Sequence, residues 1–219
     1  MKLSIDAGLK KKCPSVTLGC VTAHVHTGDS SLELLAEMDL CEAGLLKNAD
    51  PRAILEAPAI SATRAAYRAL GKDPARYRGS AEALLRRLIS GKHFPGINCV
   101  VDIINLVSVE SRLPIGLYDL ANVQGDIVFR PGRKGETYKG IGKFDLNLED
   151  LPVFFDAAGP HGSPTSDSER TMVTSSTENV AAILISFGGP QPLEVWCRRM
   201  TGLMEQYAEG RELRTEIIT

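Results

Sequence analysis

The hydrophobic period changes at Gly91, and no other feature of the sequence constrains the fold as much. Before Gly91 the spacing is helical. Leu34, Met38, Cys41 and Leu45 mark one stripe, with Ser30-x-x-Glu33 as a capping pattern ahead of it and Asp50-Pro51 beyond its end. A second helix fits residues 61–70, stopped by Gly71 and Asp73-Pro74, and a third starts at Ser80, buries Ala81, Leu84, Leu85 and Leu88, and stops at Gly91. One strand precedes them, residues 16–25, in which Val16, Leu18 and Cys20 share one face while Val21, Ala23 and Val25 share the other. After Gly91 come short β-prone runs at 100–104, 125–130, 152–156 and 181–187, with Pro131-Gly132-Arg133-Lys134-Gly135 as a turn. The polar, breaker-rich stretch 157–170 reads as a long surface loop. A last helix follows Gly188-Gly189-Pro190, with Trp196, Met200, Leu203, Met204 and Tyr207 on one face and Gly210 at its end. Helices and strands that segregate in this way predict an α+β fold rather than a doubly wound sheet.

A chain of 219 residues, 43% hydrophobic, with Gly 20 and Pro 12, has enough apolar material for a mixed core and excludes disorder, coiled coil and collagen. The expected organisation is one domain over 1–219: a helical, basic part at about 1–92, a mostly β part at about 93–190 and a closing helix at about 191–210. The N-terminus MKLSIDAGLKKKCPS has no apolar signal core, and no window approaches the roughly 18 apolar residues of a membrane helix, so a cytoplasmic protein without a membrane partner is expected. Cys13, Cys20, Cys41, Cys99 and Cys197 are odd in number and lack C-x-x-C spacing, which predicts reduced thiols packed as small hydrophobes. The formal charge of −2 conceals a local bias. Residues 61–92 hold eight basic side chains against Asp73 and Glu82, a surplus of six that leaves the rest of the chain at −8.

The familiar signatures of catalysis are absent. There is no P-loop, no G-x-S-x-G elbow and no H-E-x-x-H, and Gly140-x-Gly142 runs into Lys-Phe-Asp-Leu instead of a third glycine and a helix start. His24-x-His26 places two imidazoles on one strand face, half of a metal site, but the spacing implies no third ligand. Neither a metal nor a cofactor is expected.

The most informative segment is Asp102-x-x-Asn105, then Pro114-x-Gly116-x-Tyr118-Asp119, a strand ending in Arg130, Gly135-Glu136, a strand ending in Asp156, and Asp167-Ser-Glu-Arg170-Thr171-x-x-Thr174. In that order these motifs resemble the B3/4 domain, the editing module of the β subunit of bacterial phenylalanyl-tRNA synthetase, which also occurs as free-standing proteins. The resemblance covers roughly residues 80–187 in motif form and implies a B3/4-like mixed β-sheet sandwich with flanking helices. It also implies hydrolysis of the ester of tyrosine mischarged onto phenylalanine tRNA, in a pocket that admits the aminoacyl group and positions a water on the ester carbonyl. Three of the family's polar groups are replaced: a Thr-Asn pair by Ile104-Asn105, a His by Gly116, and a strand Glu by an apolar residue near Ala182 or Ile183.

The resemblance thus implies a pocket with a different lining, drawn from Asn105, Ser108, Tyr118, Glu136, Asp156, Arg170 and Thr171 for substrate, with Glu110 and His161 as candidates for acid, base or water-orienting work. Each has an ordinary structural reading beside the functional one. Asn105 and Ser108 can bridge turns, Tyr118 can fill core, Glu136 can be solvated beside its turn, Asp156 and Arg170 can form a structural ion pair, and His161 can be an exposed loop imidazole. Arg64, Arg68, Arg76, Arg78, Arg86 and Arg87 form a candidate phosphate-contact surface for tRNA or aminoacyl-tRNA, against the alternative of a solvated helix face. No DNA partner is expected. The rival functions are a site for an amino-acid-like small molecule and a catalytically silent RNA-interaction module.

Overall fold

The computed structural model describes residues 2–47, 50–142, 145–189 and 193–219. Lys143-Phe144, after Gly140-x-Gly142, and Pro190, before the last helix, lie outside the described residues. The chain runs through β1 (Leu3–Ile5), α1 (Ala7–Lys12), β2 (Thr17–His24), α2 (Leu32–Lys47), α3 (Pro51–Leu55), α4 (Pro58–Leu70), α5 (Ser80–Ile89) and α6 (Cys99–Ser111). It continues through β3 (Ile115–Asp119), β4 (Ile127–Pro131), β5 (Thr137–Lys139), β6 (Asp145–Asn147), β7 (Pro152–Asp156), β8 (Gly159–Gly162), β9 (Asn179–Ser186), α7 (Leu193–Tyr207) and β10 (Arg211–Ile218). The fold is α+β, as the segregated pattern predicts.

Two four-stranded sheets, β1-β4-β7-β8 and β10-β2-β9-β3, lie face to face, and a small β5-β6 pair flanks them. Period-two alternation assigns each strand residue to a layer. Leu18, Cys20, Tyr118, Ile183 and Ile185 face Ile127, Phe129 and Phe154 across the sandwich. The opposite face of the second sheet, with Val21, Ala23, Ile115, Leu117, Ala182 and Leu184, packs on α6 and α7. On the far side of the first sheet, Val153 and Phe155 pack with Tyr67 of α4 and Tyr138 of β5. Both faces of β2 are therefore used, which is why both of its stripes are apolar.

Two expectations are corrected. Residues 100–104 form not a strand but the start of α6, whose cap is Asn98: its side chain accepts the Val101 N–H at 2.9 Å. Ten of the thirteen residues of α6 are buried, so apolar and β-branched side chains occupy all its faces and the amphipathic signal vanishes. The stretch 157–170 is not a surface loop. It contains β8, which pairs antiparallel with β7, and His161, Ser163 and Ser168 are buried. Beyond the helix ended by Gly210, where the sequence pattern assigns no element, β10 pairs antiparallel with β2 at the edge of the second sheet. A smaller shift occurs at α2, where Ser31, not Ser30, accepts the Leu34 N–H (3.3 Å), while Ser30 donates to the buried Asp102 at 2.7 Å.

Candidate functional site

A cavity of about 590 Å³ opens between α5, α6, β3 and the segment 163–173. Val101, Ile104 and Asn105 point into it because positions three and four apart share one helix face. Ile115 and Leu117 join them because alternate residues of β3 share one strand face. The other wall is polar, made by Ser163, Thr165, Ser166 and Asp167, and among the described residues Arg87 is the one basic residue of the lining. Ile97 and Ile141, 62% and 39% exposed, flank the mouth as apolar surface.

The polar wall is held by its own hydrogen bonds. Tyr138 Oη donates to Ser163 Oγ (2.9 Å), Ser163 Oγ is 3.0 Å from the Ser166 carbonyl, and Thr165 Oγ1 meets Tyr67 Oη at 2.8 Å. Asp167 has a distinct task. β3 pairs with β9 on one side only, so its outward N–H groups need other acceptors. The Asp167 carboxylate accepts from Leu117 N (3.0 Å) and from Tyr118 Oη (3.1 Å). Tyr118 reaches it by passing between Gly116 and Gly162, where a methyl group at either position would overlap the phenol ring and oxygen. That overlap explains Gly116: any side chain there would displace Tyr118. Burial and then the Asp167 charge hold the Tyr118 pKa well above its ordinary value, so it remains a hydrogen-bond donor. The Asn105 amide is half-buried at the cavity wall and has no hydrogen-bond partner among the described residues.

The other candidate residues do not converge on this cavity. Ser108 is buried and donates to the Leu113 carbonyl at 2.7 Å, closing the end of α6. Glu110 lies on another face of that helix, in a two-pronged pair with Arg199 (3.1 and 3.0 Å). Tyr118 is buried between the sheets rather than exposed to a ligand. Glu136 is not a free surface carboxylate: Arg130 grips both its oxygens at 3.0 and 2.7 Å and lowers its pKa, with the Arg133 N–H adding a third bond. Asp156 and Arg170 form the structural ion pair, at 3.0 and 2.8 Å; burial works to raise the Asp156 pKa, but Arg170 and the Gln124 N–H outweigh it and the pKa is lowered. Thr171, at the end of a short 3-10 turn over Glu169–Thr171, is fully buried, with Oγ1 3.5 Å from the His161 carbonyl.

His161 overturns the expectation of an exposed loop imidazole. It is 0% exposed, meets Tyr118 edge-on with ring centroids 4.6 Å apart, and neither ring nitrogen has a partner among the described residues. Burial pushes its pKa down to about 4 against a partial restoring effect of Asp156, so it is a neutral core group at neutral pH.

The basic stretch is divided by the fold. Glu82, 2% exposed, is clamped by Arg64 (2.9 and 3.1 Å), Arg86 (2.8 Å) and Arg78 (3.6 Å). Arg68 and Arg76 stay exposed, Lys72 is buried under the backbone carbonyls of Asn147 and Glu149, and Arg87 stands at the cavity. His24 and His26 are exposed beside a separate shallow cleft, and among the described residues no three metal-binding side chains come together. The five cysteines are free. Sequence reasoning placed Asn105 in a site, gave Arg87 only a surface role, and quoted Asp167 in a motif without assigning it one. The one signal for Asp167 was its place at the head of Asp167-Ser-Glu-Arg170.

Among the described residues no helix is long and apolar enough to cross a membrane. Residues 62–190 match the B3/4 domain family. A stretch of 86 residues is 34% identical to the phenylalanine–tRNA ligase β subunit of Cutibacterium acnes, covering 38% of this chain and 10% of that protein. The fold is similar to an N-terminal fragment of the phenylalanyl-tRNA synthetase β subunit from Pyrococcus horikoshii, with a TM-score of 0.50 and 14% identity over 99% of this chain and 50% of that one. The chain thus spans half the length of the structural relative and a tenth of the sequence relative.

Proposed function

Because this chain belongs to the B3/4 domain family, we propose that its cavity receives the aminoacyl group of an aminoacyl-tRNA and hydrolyses the ester. The observation that carries the reading is the Asn105 amide, without a hydrogen-bond partner among the described residues, set in an otherwise apolar wall opposite the carboxylate of Asp167. A volume of about 590 Å³ falls within the roughly 300–1,000 Å³ of small-molecule sites. The apolar wall accepts a side chain, Asn105 hydrogen-bonds the aminoacyl polar atoms, and the hydroxyls of the 163–166 turn with Asp167 hold a water at the carbonyl. Water adds to that carbonyl, the ester C–O bond breaks, and the products are the free amino acid and the tRNA hydroxyl. Arg87 at the mouth meets the phosphate of the terminal nucleotides.

The test is a panel of mischarged tRNAs incubated with the purified protein, together with tRNA binding across a salt series. Deacylation that falls at least tenfold in Asn105→Ala, with unchanged melting temperature, is the expected outcome. No deacylation above buffer and no salt-sensitive tRNA binding defeats the reading, whereas binding without deacylation supports the silent RNA-interaction module.

One observation favours a second reading. Three of the six candidate arginines are already engaged by Glu82, which thins the phosphate-binding surface. A free amino-acid-like ligand in the same cavity needs no such surface, and it would raise the melting temperature without RNA by binding the native state.

A further inference from the structure

A second concavity of about 500 Å³ lies away from the proposed aminoacyl cavity, walled by α2, α7 and the end of α6. Three features of it bear on what it could hold. Arg112, the residue that ends α6, is half-buried with φ 64, a backbone state that favours glycine or asparagine, and its guanidinium has no hydrogen bond or ion pair among the described residues. Gly44 sits inside α2, where glycine weakens a helix, yet a methyl group there would meet nothing within 4 Å. The space in front of the glycine is therefore open. Trp196 of α7 forms part of the wall with its indole half-buried.

The two arginines of the lining are unequally engaged. Arg199 is bonded to both Glu110 and Glu37, whereas Arg112 feels the Glu110 charge but makes no hydrogen bond among the described residues, so its guanidinium donors are open to a ligand. From these features we propose that this concavity binds a small aromatic carboxylate. Its carboxylate pairs with the planar guanidinium of Arg112, and its ring lies against Trp196 in the space that Gly44 leaves free. A neutral aromatic of the same shape lacks the ionic contact and binds more weakly.

Trp196 is the only tryptophan of the chain, so its fluorescence reports this concavity and not the aminoacyl cavity. Benzoate and benzamide are titrated into the full chain and into Arg112→Gln, Arg112→Lys and Gly44→Leu. The expected result is a saturable change with benzoate, about tenfold weaker with benzamide and in Arg112→Gln, partly restored in Arg112→Lys and lost in Gly44→Leu. A non-saturating response, or equal benzoate affinity in folded Arg112→Gln, overturns the proposal. Because the two linings share no residue, the result is independent of whether any aminoacyl ester is hydrolysed.

Discussion

Two single residues expose the physics of the sandwich interior. Gly116 and Gly162 both leave room for the Tyr118 phenol, so Gly116→Ala or Gly162→Ala forces that buried ring from its rotamer and detaches it from Asp167. Overpacking of this kind costs about 1–3 kcal/mol, and urea denaturation should show that loss in either variant. His161 supplies a pH dependence. Its native pKa is lowered to about 4 from an ordinary 6.5, so the unfolded chain takes up a proton first as the pH falls. The native state is then most favoured above pH 6.5 and loses stability between there and pH 4, at a slope of up to about 1.4 kcal/mol per pH unit. The variant His161→Phe, with Tyr118 and Phe154 as ready aromatic neighbours, should flatten the pH profile of the urea midpoint in that window. A slope that survives the substitution would assign the acid sensitivity to other groups.

At the level of elements, α6 matters most, since it bridges the sheet and the helical layer and carries Asn105. Its start depends on Asn98, and Asn98→Ala should cost about 1 kcal/mol of unfolding free energy, measurable in a denaturant titration. The α4–α5 contact depends on Glu82. Replacing Glu82 with Ala leaves Arg64, Arg78 and Arg86 to repel one another, but these arginines are 31–42% exposed and screened by solvent, so the expected loss is about 1–2 kcal/mol, reduced by added salt. The same elements show what the sequence made legible. α4 and α5 could be read from one apolar face at helical spacing, β2 from apolar residues at alternate positions on both faces, and β9 from a short apolar, β-prone run that ends at Gly188-Gly189. α6 could not, because burial on nearly every side erases the period, and neither could 159–171, where Asp167 is bonded to Leu117 and Tyr118, Arg170 to Asp156, and His161 is buried with no partner among the described residues. Asn105 was legible by its position in a motif. Asp167 was not, because its role comes from the unpaired edge of β3, a fact of tertiary pairing that no local pattern encodes.

For the whole molecule, the partition of the basic stretch limits any binding to nucleic acid. With three arginines turned to Glu82 and Lys72 buried, Arg68, Arg76, Arg87 and Lys92 remain for phosphates. If tRNA is held by these four alone, the slope of log affinity against log salt should not be steeper than about −3 to −4, and a much steeper slope would place the contact surface elsewhere. A last consequence follows from β9, which is buried from Val180 to Ser186, hydrogen-bonded to β2 on one side and β3 on the other, and contributes to both main cores. Its amides can exchange with deuterium only when the molecule unfolds globally, while those of the 163–168 turn are released by smaller openings. One wall of the cavity is thus fastened to the slowest-exchanging strand and the facing wall to a faster one, so a guest could enter without disturbing the part of the molecule that keeps it folded.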